Sequence, residues 1–270
     1  MTDNLLAVRG LRKVFTTRTA GGRHEHVAVD DVSFDIPEGS CLAIVGESGS
    51  GKTTTARIVA GLETADGGTV TLAGQPSDRR GRRRGPGSAQ MVFQDPFGSL
   101  DPRQRVGSAI EELLHLHHRL GRTERRARVV ELLTQVGLDE RHAGELPGNL
   151  SGGQRQRVAI ARALSMEPKL LILDEAVSAL DVSVQAQVLN LLIDIRRQTG
   201  ITYLFISHDL AVVRQISDRC LVMRDGRVVE EGRTADVLGN PAEEYTRLLI
   251  DAVPRPGWVP RRRTQTAFAP

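Results

Sequence analysis

Short, continuously apolar runs alternate along the chain with longer segments whose apolar residues recur every three or four positions. The runs Cys41–Val45, Leu170–Leu173 and Tyr203–Ile206 have strand length, and unbroken apolar character is typical of strands covered on both faces. Helical spacing follows the runs, as between Asp181 and Gly200. Strands alternating with helices predict an α/β fold with a mostly parallel sheet.

Weaker patterns predict further elements. Short strands separated by turn residues are expected at Leu5–Val8, Val32–Ile36, Thr69–Leu72, Gln90–Phe93, Cys220–Met223 and, after a hairpin turn at Arg224–Arg227, Val228–Glu230. Helical spacing predicts two helices within Val106–Val136, one at Arg155–Ser165 and a last one at Ala242–Val253. The polar, glycine-containing stretch Arg18–His26 is expected to be a loop.

The segment Gly46–Thr53, called the phosphate loop below, fits the pattern G-x-x-x-x-G-K-[ST]. A predicted strand precedes it and a predicted helix follows, which is the context that separates this motif from a chance glycine- and serine-rich turn. Its glycines let backbone N–H groups reach phosphate oxygens, and the helix N-terminus adds partial positive charge. Lys52 is expected to reach the β/γ-phosphates of a nucleotide, and the Thr53 hydroxyl to ligate Mg²⁺.

Other polar residues follow predicted strands. Because sites in parallel sheets gather at the carboxyl ends of the strands, we expect Gly46, Gln94, Asp174 and His208 to lie together. Asp174 is placed to hold Mg²⁺, directly or through water. Glu175 is placed to polarise an attacking water, although two acids at a strand end can also simply cap the next turn. His208 either donates a hydrogen bond to a γ-phosphate, or holds the base in position, or is structural.

A second potential anion site lies at Ser151–Gln154, where a hydroxyl and bare backbone open the predicted helix Arg155–Ser165. The phosphate loop already serves one nucleotide. Two such helix ends on one chain therefore suggest that each serves a different nucleotide, shared between two chains.

Composition narrows the classes of protein. The 270 residues are enough for one large domain or two small ones, and a net charge of +3 is too small to indicate a nucleic-acid partner. The sequence contains no apolar run of transmembrane length and no signal-peptide pattern at its start, so we expect the chain to stay in the cytosol. Cys41 and Cys220 are far apart in predicted strands, which favours buried free thiols.

For three polar features, a structural interpretation is favoured over a functional one. The arginines of Arg79–Arg84 can touch an anionic partner, but a solvated loop is favoured. His115, His117 and His118 have no acidic or cysteine partner at ligand spacing, so a polar helix face is favoured over a metal site. The tail Pro254–Pro270 is rich in proline and arginine and is expected to lack fixed structure.

Together these residues resemble the ATP-binding cassette (ABC) family over about residues 5–253. Leu150–Gln154 resembles the family's signature, here called the signature segment, and it lies between the phosphate loop and Leu170–Glu175. The resemblance implies the fold of a phosphate-loop NTPase: a parallel-sheet core, an antiparallel β subdomain and an inserted helical subdomain at about residues 97–165. The ABC ATPase domain would then span residues 1–253, followed by a tail over residues 254–270.

The resemblance also implies a role for each matching residue. Phe15 stacks on adenine, Gln94 senses Mg²⁺ and signals to a membrane partner, Glu175 is the catalytic base, and His208 is the switch histidine. The Mg²⁺ residues are Thr53, Gln94 and Asp174. The residues implied to bind ATP, some of them in a partner chain's site, are Phe15, Gly46, Glu47, Ser48, Gly49, Ser50, Gly51, Lys52, Thr53, Thr54, Gln94, Ser151, Gly152, Gly153, Gln154 and Asp181.

A narrower resemblance is to the second ATPase subunit of oligopeptide and dipeptide importers. The segments that carry it are Phe93–Arg103, Ser178–Gln187, Ile206–Val213 and, near the end, Asn240-Pro241 with Tyr245-Thr246 and Ala252-Val253-Pro254. Ala176 departs from the family, which usually has proline there, but the change removes no chemical group.

This resemblance implies an ATP-hydrolysing subunit that powers an importer for peptides or related solutes and lies on the cytoplasmic face of the cell membrane. The implied partners are transmembrane permease subunits, a second ABC ATPase subunit in a hetero- or homodimer and, indirectly, an extracytoplasmic solute-binding protein. No nucleic acid is expected. The alternatives are a soluble ABC-type ATPase that acts on nucleic acid and the ATPase subunit of an exporter.

Overall fold

A computed structural model of the chain describes residues 4–19, 22–76, 87–95, 98 and 100–253. Its strands are β1 (Asn4–Thr19), β2 (Gly22–Pro37), β3 (Cys41–Val45), β4 (Gly67–Leu72), β5 (Gln75–Pro76), β6 (Ala89–Val92), β7 (Leu170–Asp174), β8 (Thr202–Ile206), β9 (Arg219–Arg224) and β10 (Arg227–Arg233). Its helices include α1 (Lys52–Ala60), α2 (Val106–His117), α3 (Arg122–Gln135), α4 (Gly152–Leu164), α5 (Val182–Thr199), α6 (Leu210–Ile216), α7 (Thr234–Gly239) and α8 (Glu244–Asp251). Short 3₁₀ helices cover Glu140–Gly144 and Pro147–Asn149. The arginine run Arg79–Arg84 and the tail Pro254–Pro270 lie outside the described residues.

Two sheets form the framework. The larger sheet has the strand order β10-β9-β3-β8-β7-β6. Adjacent strands in it are parallel, except that β10 pairs antiparallel with β9. The smaller sheet, of order β2-β1-β4-β5, is antiparallel throughout. The structure therefore confirms the α/β fold with a mostly parallel sheet and an antiparallel β part.

The larger sheet separates two hydrophobic cores. Leu171 and Leu173 of β7 point into a core shared with α2 to α7. Leu170 and Ile172 of the same strand point into a second core, shared with α1 and the antiparallel sheet. The continuous apolar run of β7 is thus covered on both faces, as the sequence predicts. Burying each of these side chains fully is worth about 1.5–3 kcal/mol.

The helices α2, α3 and α4 pack together on one side of the sheet. Ile110 and Leu114 of α2 meet Leu132 of α3 in the same core, and all three are almost completely buried. His115 and His117, in the last turn of α2, are exposed, which agrees with the polar surface that the sequence predicts there.

The expectation of a loop at Arg18–His26 is wrong for residues 18, 19 and 22–26, the part of this stretch that the structure describes. β1 and β2 continue through this stretch as a two-stranded antiparallel ribbon, in which Phe15 pairs with His26 and Thr17 with His24. His24, Glu25 and His26 are exposed in this ribbon, and its two strands are held together by backbone pairing. Such a strand lacks the alternation of apolar and polar residues by which strands are recognised.

Two further expectations concern cysteines and membrane spans. Cys41 and Cys220 are buried and free, as predicted. Within the described ranges, none of the helices combines the length and the apolar character that crossing a bilayer requires.

The parallel strands bring their carboxyl ends to one edge of the larger sheet. β3, β8, β7 and β6 are consecutive neighbours with the same direction, and β9 lies parallel to β3 on the other side. The segments that follow these strands, including the turn between β9 and β10, therefore meet at this edge.

Candidate functional site

The phosphate loop joins the end of β3 to the start of α1. Gly46 has a φ of 149° and packs against the backbone of Met223 in β9, and a Cβ atom there would also lie 2.8 Å from the Ser50 Oγ. Glycine is the residue that fits such a position. The turn after β9 supports the loop from the same side, because the Gly226 N–H donates to the Ser50 carbonyl oxygen at 3.1 Å.

The ammonium group of Lys52 lies inside the loop. Its Nζ donates to the carbonyl oxygens of Gly46 at 2.9 Å and Glu47 at 2.7 Å, and the residue is 5% exposed. Burial lowers the pKa of Lys52, and the carboxylates of Glu175 and Asp174 oppose that shift. The loop thus holds a cation among backbone amides at a helix N-terminus, an arrangement suited to phosphate.

The other residues predicted to bind phosphate differ in how far they are buried. Glu47, Ser48 and Gly49 are exposed on the outer side of the loop. Ser50 and Gly51 are buried, whereas Thr54, in the first turn of α1, is half-buried.

Thr53 and Asp174 form an oxygen pair below the loop. The Thr53 hydroxyl donates to Asp174 Oδ1 at 3.1 Å. Asp174 is 6% exposed, and its burial raises the pKa of its carboxyl group, with the hydrogen bond from Thr53 opposing and the charge of Glu175 adding to the shift. A hydroxyl and a desolvated carboxylate are hard oxygen donors, the kind that Mg²⁺ prefers.

Glu175 follows β7 in a strained conformation and faces His208. Its φ of 49° is uncommon for a residue other than glycine. The Glu175 N–H donates to the Ile206 carbonyl oxygen at 3.0 Å, and its carbonyl oxygen accepts a 2.9 Å hydrogen bond from Ser178 Oγ. Glu175 Oε1 lies 3.4 Å from His208 Nδ1. Backbone strain that neighbouring contacts maintain is concentrated at functional sites.

Gln94 reaches the same edge from the end of β6. Its Nε2 donates to Ser178 Oγ at 3.3 Å, and that hydroxyl also bonds the Glu175 backbone. Gly46, Gln94, Asp174 and His208 therefore follow strands that end at one edge of the sheet, as the parallel topology predicts. The roles assigned to them stay predictions.

The segment after Glu175 leads to the signature segment. Asp181 caps α5 by accepting a 3.0 Å hydrogen bond from the Val184 N–H, and this bond is the main cause that lowers the pKa of Asp181. Gly152 lies beside Leu180, and Gly153 faces Val184 so closely that a side chain there would displace it. Close packing thus links the start of α4 to the start of α5.

The signature segment forms a complete helix cap. Ser151 Oγ accepts from the Gln154 N–H at 3.2 Å, and Gln154 Oε1 accepts from the Ser151 N–H at 2.9 Å, which is a capping box. Gln154 Nε2 also lies 3.3 Å from His142 Nε2. These three contacts lie within the signature segment and between it and the 3₁₀ helix Glu140–Gly144.

Phe15 lies on the β1–β2 ribbon and is 38% exposed. The Lys13 Nζ lies 5.1 Å from the centroid of the ring, and Lys13 itself is anchored to Glu63 by a 2.8 Å ion pair. A partly exposed ring supported by a neighbouring cation is compatible with stacking, which stays a prediction.

Sequence reasoning missed two supports of the phosphate loop. Gly226 donates to the loop from a turn that the sequence predicts, but the contact itself is not encoded in the turn pattern. The Tyr245 hydroxyl accepts a 3.3 Å hydrogen bond from the Glu47 N–H, across 198 positions of sequence. The only signal for Tyr245 is its presence in the narrower family resemblance.

Comparison with known proteins identifies related sequences. A family model described as ABC transporter matches residues 29–178. The chain is 46% identical over 262 residues to the oligopeptide transport ATP-binding protein OppF of Bacillus subtilis, which covers 95% of this chain and 84% of OppF. It is 50% identical over 233 residues to the glutathione import ATP-binding protein GsiA of Escherichia coli. That match covers 84% of this chain but 37% of GsiA, so the chain spans little more than a third of that relative.

Solved structures show the same fold. The chain matches cbiO1 from Clostridium perfringens, part of the ABC transporter complex cbiONQ, with a TM-score of 0.75 and 30% identity over 88% of this chain and 92% of that one. It matches the ATP-binding cassette MJ0796, a dimer in a post-hydrolysis state bound to ADP and Pi, with a TM-score of 0.73 and 28% identity over 85% and 98% of the two chains. Since the family match takes in both the phosphate loop and the Asp174–Glu175 pair, and OppF is covered over most of its length, this chain belongs to the ABC transporter family.

Proposed function

We propose that this chain is an ATP-hydrolysing subunit that powers a membrane importer for peptides or related solutes. The observation that carries the proposal is the junction of two parts of the site. The phosphate loop is joined to Asp174 by the hydrogen bond from Thr53, and the next residue, Glu175, faces His208. Groups suited to phosphate binding and to water activation thus lie at one edge of one sheet.

The phosphate loop and Thr54, which follows it in α1, bind the phosphates of ATP in this proposal. Lys52 exchanges its two carbonyl partners for phosphate oxygens, which is favourable because a phosphate carries full negative charge. Phe15 stacks on adenine, and its exposed face is available for that contact.

Mg²⁺ would be held by Thr53, Gln94 and Asp174, whose hydroxyl, amide and carboxylate oxygens fit a hard cation. The ion, when bound, would neutralise charge on the phosphates. Two of these residues also hydrogen-bond to other parts of the site. Thr53 orients the Asp174 carboxylate, and the Gln94 amide donates to the Ser178 hydroxyl.

Glu175 acts as the base that polarises the attacking water, and His208 holds the carboxylate or donates to the γ-phosphate. The 3.4 Å separation of Glu175 Oε1 and His208 Nδ1 supports this pairing. A positioned general base contributes about 10²- to 10⁴-fold in rate.

Ser151–Gln154 and Asp181 would complete the nucleotide site of a second ABC ATPase subunit. The capped start of α4 leaves backbone N–H groups at a helix N-terminus, which suit an anion. The dimer state of the relative MJ0796 supports the pairing of two cassettes, with identical or different partners.

The proposed role in import is inferred from the related proteins and not from the geometry of the site. OppF and GsiA are import or transport ATP-binding proteins by name, and cbiO1 is part of a transporter complex. We therefore infer transmembrane permease subunits as partners, with a solute-binding protein acting on them from outside, and a peripheral position on the cytoplasmic face of the membrane.

The catalytic part of the proposal is tested by Glu175→Gln. We expect ATP turnover to fall at least about 100-fold, because the base is lost, while the Kd for ATP stays within about twofold. Phosphate release and titration with a fluorescent ATP analogue measure the two quantities. Glu140→Gln, an exposed glutamate of the 3₁₀ helix, is the matched control. Turnover of the Glu175 variant at the wild-type rate would remove Glu175 from the mechanism.

The transport part is tested by affinity purification of this chain from detergent-solubilised native membranes. Co-purification of multi-span membrane proteins with a second cassette supports the importer-like assembly. Recovery of the chain alone, with an ATPase rate that rises on addition of DNA and falls with salt, would instead favour the nucleic-acid alternative.

A further inference from the structure

The last helix that the structure describes, α8, contacts the phosphate loop. The Glu47 N–H donates to the Tyr245 hydroxyl oxygen at 3.3 Å, and Tyr245 is in the first turn of α8. The family match ends at residue 178, so this contact comes from a part of the chain beyond the matched cassette region.

The contact fixes one particular peptide unit. The Gly46 carbonyl and the Glu47 N–H belong to the same trans peptide and therefore point in opposite directions. The carbonyl oxygen accepts from Lys52 Nζ at 2.9 Å on the inner side of the loop, and the N–H donates to Tyr245 on the outer side. Rotation of this peptide would break both bonds, so Tyr245 and Lys52 together hold its orientation in the nucleotide-free chain.

The ring of Tyr245 packs against the positively charged side chain of Arg224. The guanidinium of Arg224 lies 4.9 Å from the centroid of the tyrosine ring, a cation–π contact. Arg224 ends β9 directly after Met223, whose carbonyl packs against Gly46. The ring is therefore supported by the same strand end that contacts the loop.

The start of α8 is anchored independently. Glu230 of β10 accepts hydrogen bonds from the Ala242 N–H at 2.8 Å and the Glu243 N–H at 3.2 Å. Burial alone would raise the pKa of Glu230, but these bonds, together with Thr246 and Arg247, lower it. Because these bonds fix the start of α8, they also fix the position of Tyr245 relative to β10.

We propose that Tyr245 is a positioning residue of the nucleotide site, which holds the Gly46–Glu47 peptide in the orientation that phosphate binding requires. The proposal rests on the proposed binding of ATP at this loop. Tyr245 acts through the backbone of Glu47 and not by contact with the nucleotide, so it affects binding of ATP rather than the rate of the chemical step.

The test compares Tyr245→Phe with Tyr203→Phe in the full chain. Tyr203 is buried, and its hydroxyl donates to the Leu192 carbonyl oxygen at 2.9 Å, so both variants lose one tyrosine hydroxyl bonded to backbone. We expect Tyr245→Phe to raise the Kd for a fluorescent ATP analogue and the KM for ATP about two- to tenfold, the range that one net hydrogen bond represents. We expect kcat to stay within about twofold, since the lost interaction is present before and during the reaction. Tyr203→Phe is expected to leave the Kd unchanged.

Four results would overturn the proposal. An unchanged Kd in Tyr245→Phe, with ATP bound normally by the unmodified chain, overturns this proposal and leaves the proposed function intact. An equal rise in both variants, together with a lower melting temperature in both, assigns the effect to general destabilisation. A fall in kcat at constant KM places Tyr245 in a later step. Failure of the unmodified chain to bind ATP would instead overturn the proposed function, and this proposal with it.

Discussion

Replacement of Gly46 by alanine tests how tightly the phosphate loop is packed against the larger sheet. The added Cβ would lie 3.2 Å from the Met223 carbonyl carbon and 2.8 Å from the Ser50 Oγ, and closer still to the Met223 carbonyl oxygen. The obstructing Met223 atoms are backbone of a buried strand, so they cannot rotate away as a side chain would. The φ of 149° is in addition a conformation that alanine avoids.

The cost has two parts that a second variant separates. Gly49 has a φ of 84°, and a Cβ there would meet no atom within 4 Å. Gly49→Ala therefore carries backbone strain alone, about 1–3 kcal/mol. Gly46→Ala carries similar strain plus overpacking of about 1–3 kcal/mol, so we expect it to lose about 2–6 kcal/mol of unfolding free energy. The loss of chain freedom in the unfolded state is the same for both and cancels.

Thermal unfolding of the nucleotide-free chain measures the difference. One kcal/mol corresponds to about 2–4 °C in a chain of this size, so Gly46→Ala should melt at least about 2 °C below Gly49→Ala. Equal melting temperatures, or a more stable Gly46 variant, would refute the close packing of the loop against Met223.

Two further predictions concern buried ionisable groups. Asp174→Asn should raise the melting temperature of the metal-free chain at neutral pH, because burial raises the pKa of Asp174 and the ionised carboxylate therefore destabilises the folded state. This gain should shrink as the pH falls through that raised pKa toward the ordinary value of 3.8, since the folded wild type then takes up the proton first; a gain that is constant with pH in thermal unfolding would contradict the reasoning. Burial raises the pKa of the Cys41 thiol to about 12 and that of Cys220 to about 11, so a thiol reagent should modify neither cysteine in the native chain and both after unfolding. Rapid modification of the native chain would show that one of these thiols is accessible.

The sequence predicts the parts of this fold whose signals are local. Leu170–Leu173 and Tyr203–Ile206 are unbroken apolar runs, and both form buried strands because a parallel sheet between two layers is where such runs fit. From these strands and the rule for strand ends, the meeting of Asp174 and His208 at one edge follows without further information.

Other parts depend on pairings that no local pattern contains. In the β1–β2 ribbon, His24, Glu25 and His26 are exposed and polar, so these strands exist through backbone pairing that only the register of the two strands reveals. The bond from Glu47 to Tyr245 joins positions 198 residues apart. The positive φ of Glu175 is likewise not predicted from the sequence. It is maintained by hydrogen bonds of the Glu175 backbone to the Ile206 carbonyl oxygen and the Ser178 hydroxyl, which no local pattern contains.

The attachment of Glu175 to β8 has a consequence for how this site responds to movement. The backbone of Glu175 is bonded to Ile206, the last residue of β8, and His208 follows Ile206 by two positions. The Glu175 carboxylate and the His208 imidazole are thus both attached close to Ile206, although Glu175 follows β7 and His208 follows β8. A displacement of β8 would carry both groups in the same direction and preserve the distance between them. The same strand end also supports the phosphate loop, because the Ser207 N–H donates to the Ile44 carbonyl oxygen of β3 at 3.2 Å, and β3 leads directly into the loop. The end of β8 is therefore the common support of the Glu175–His208 pair and of the strand that carries the phosphate loop.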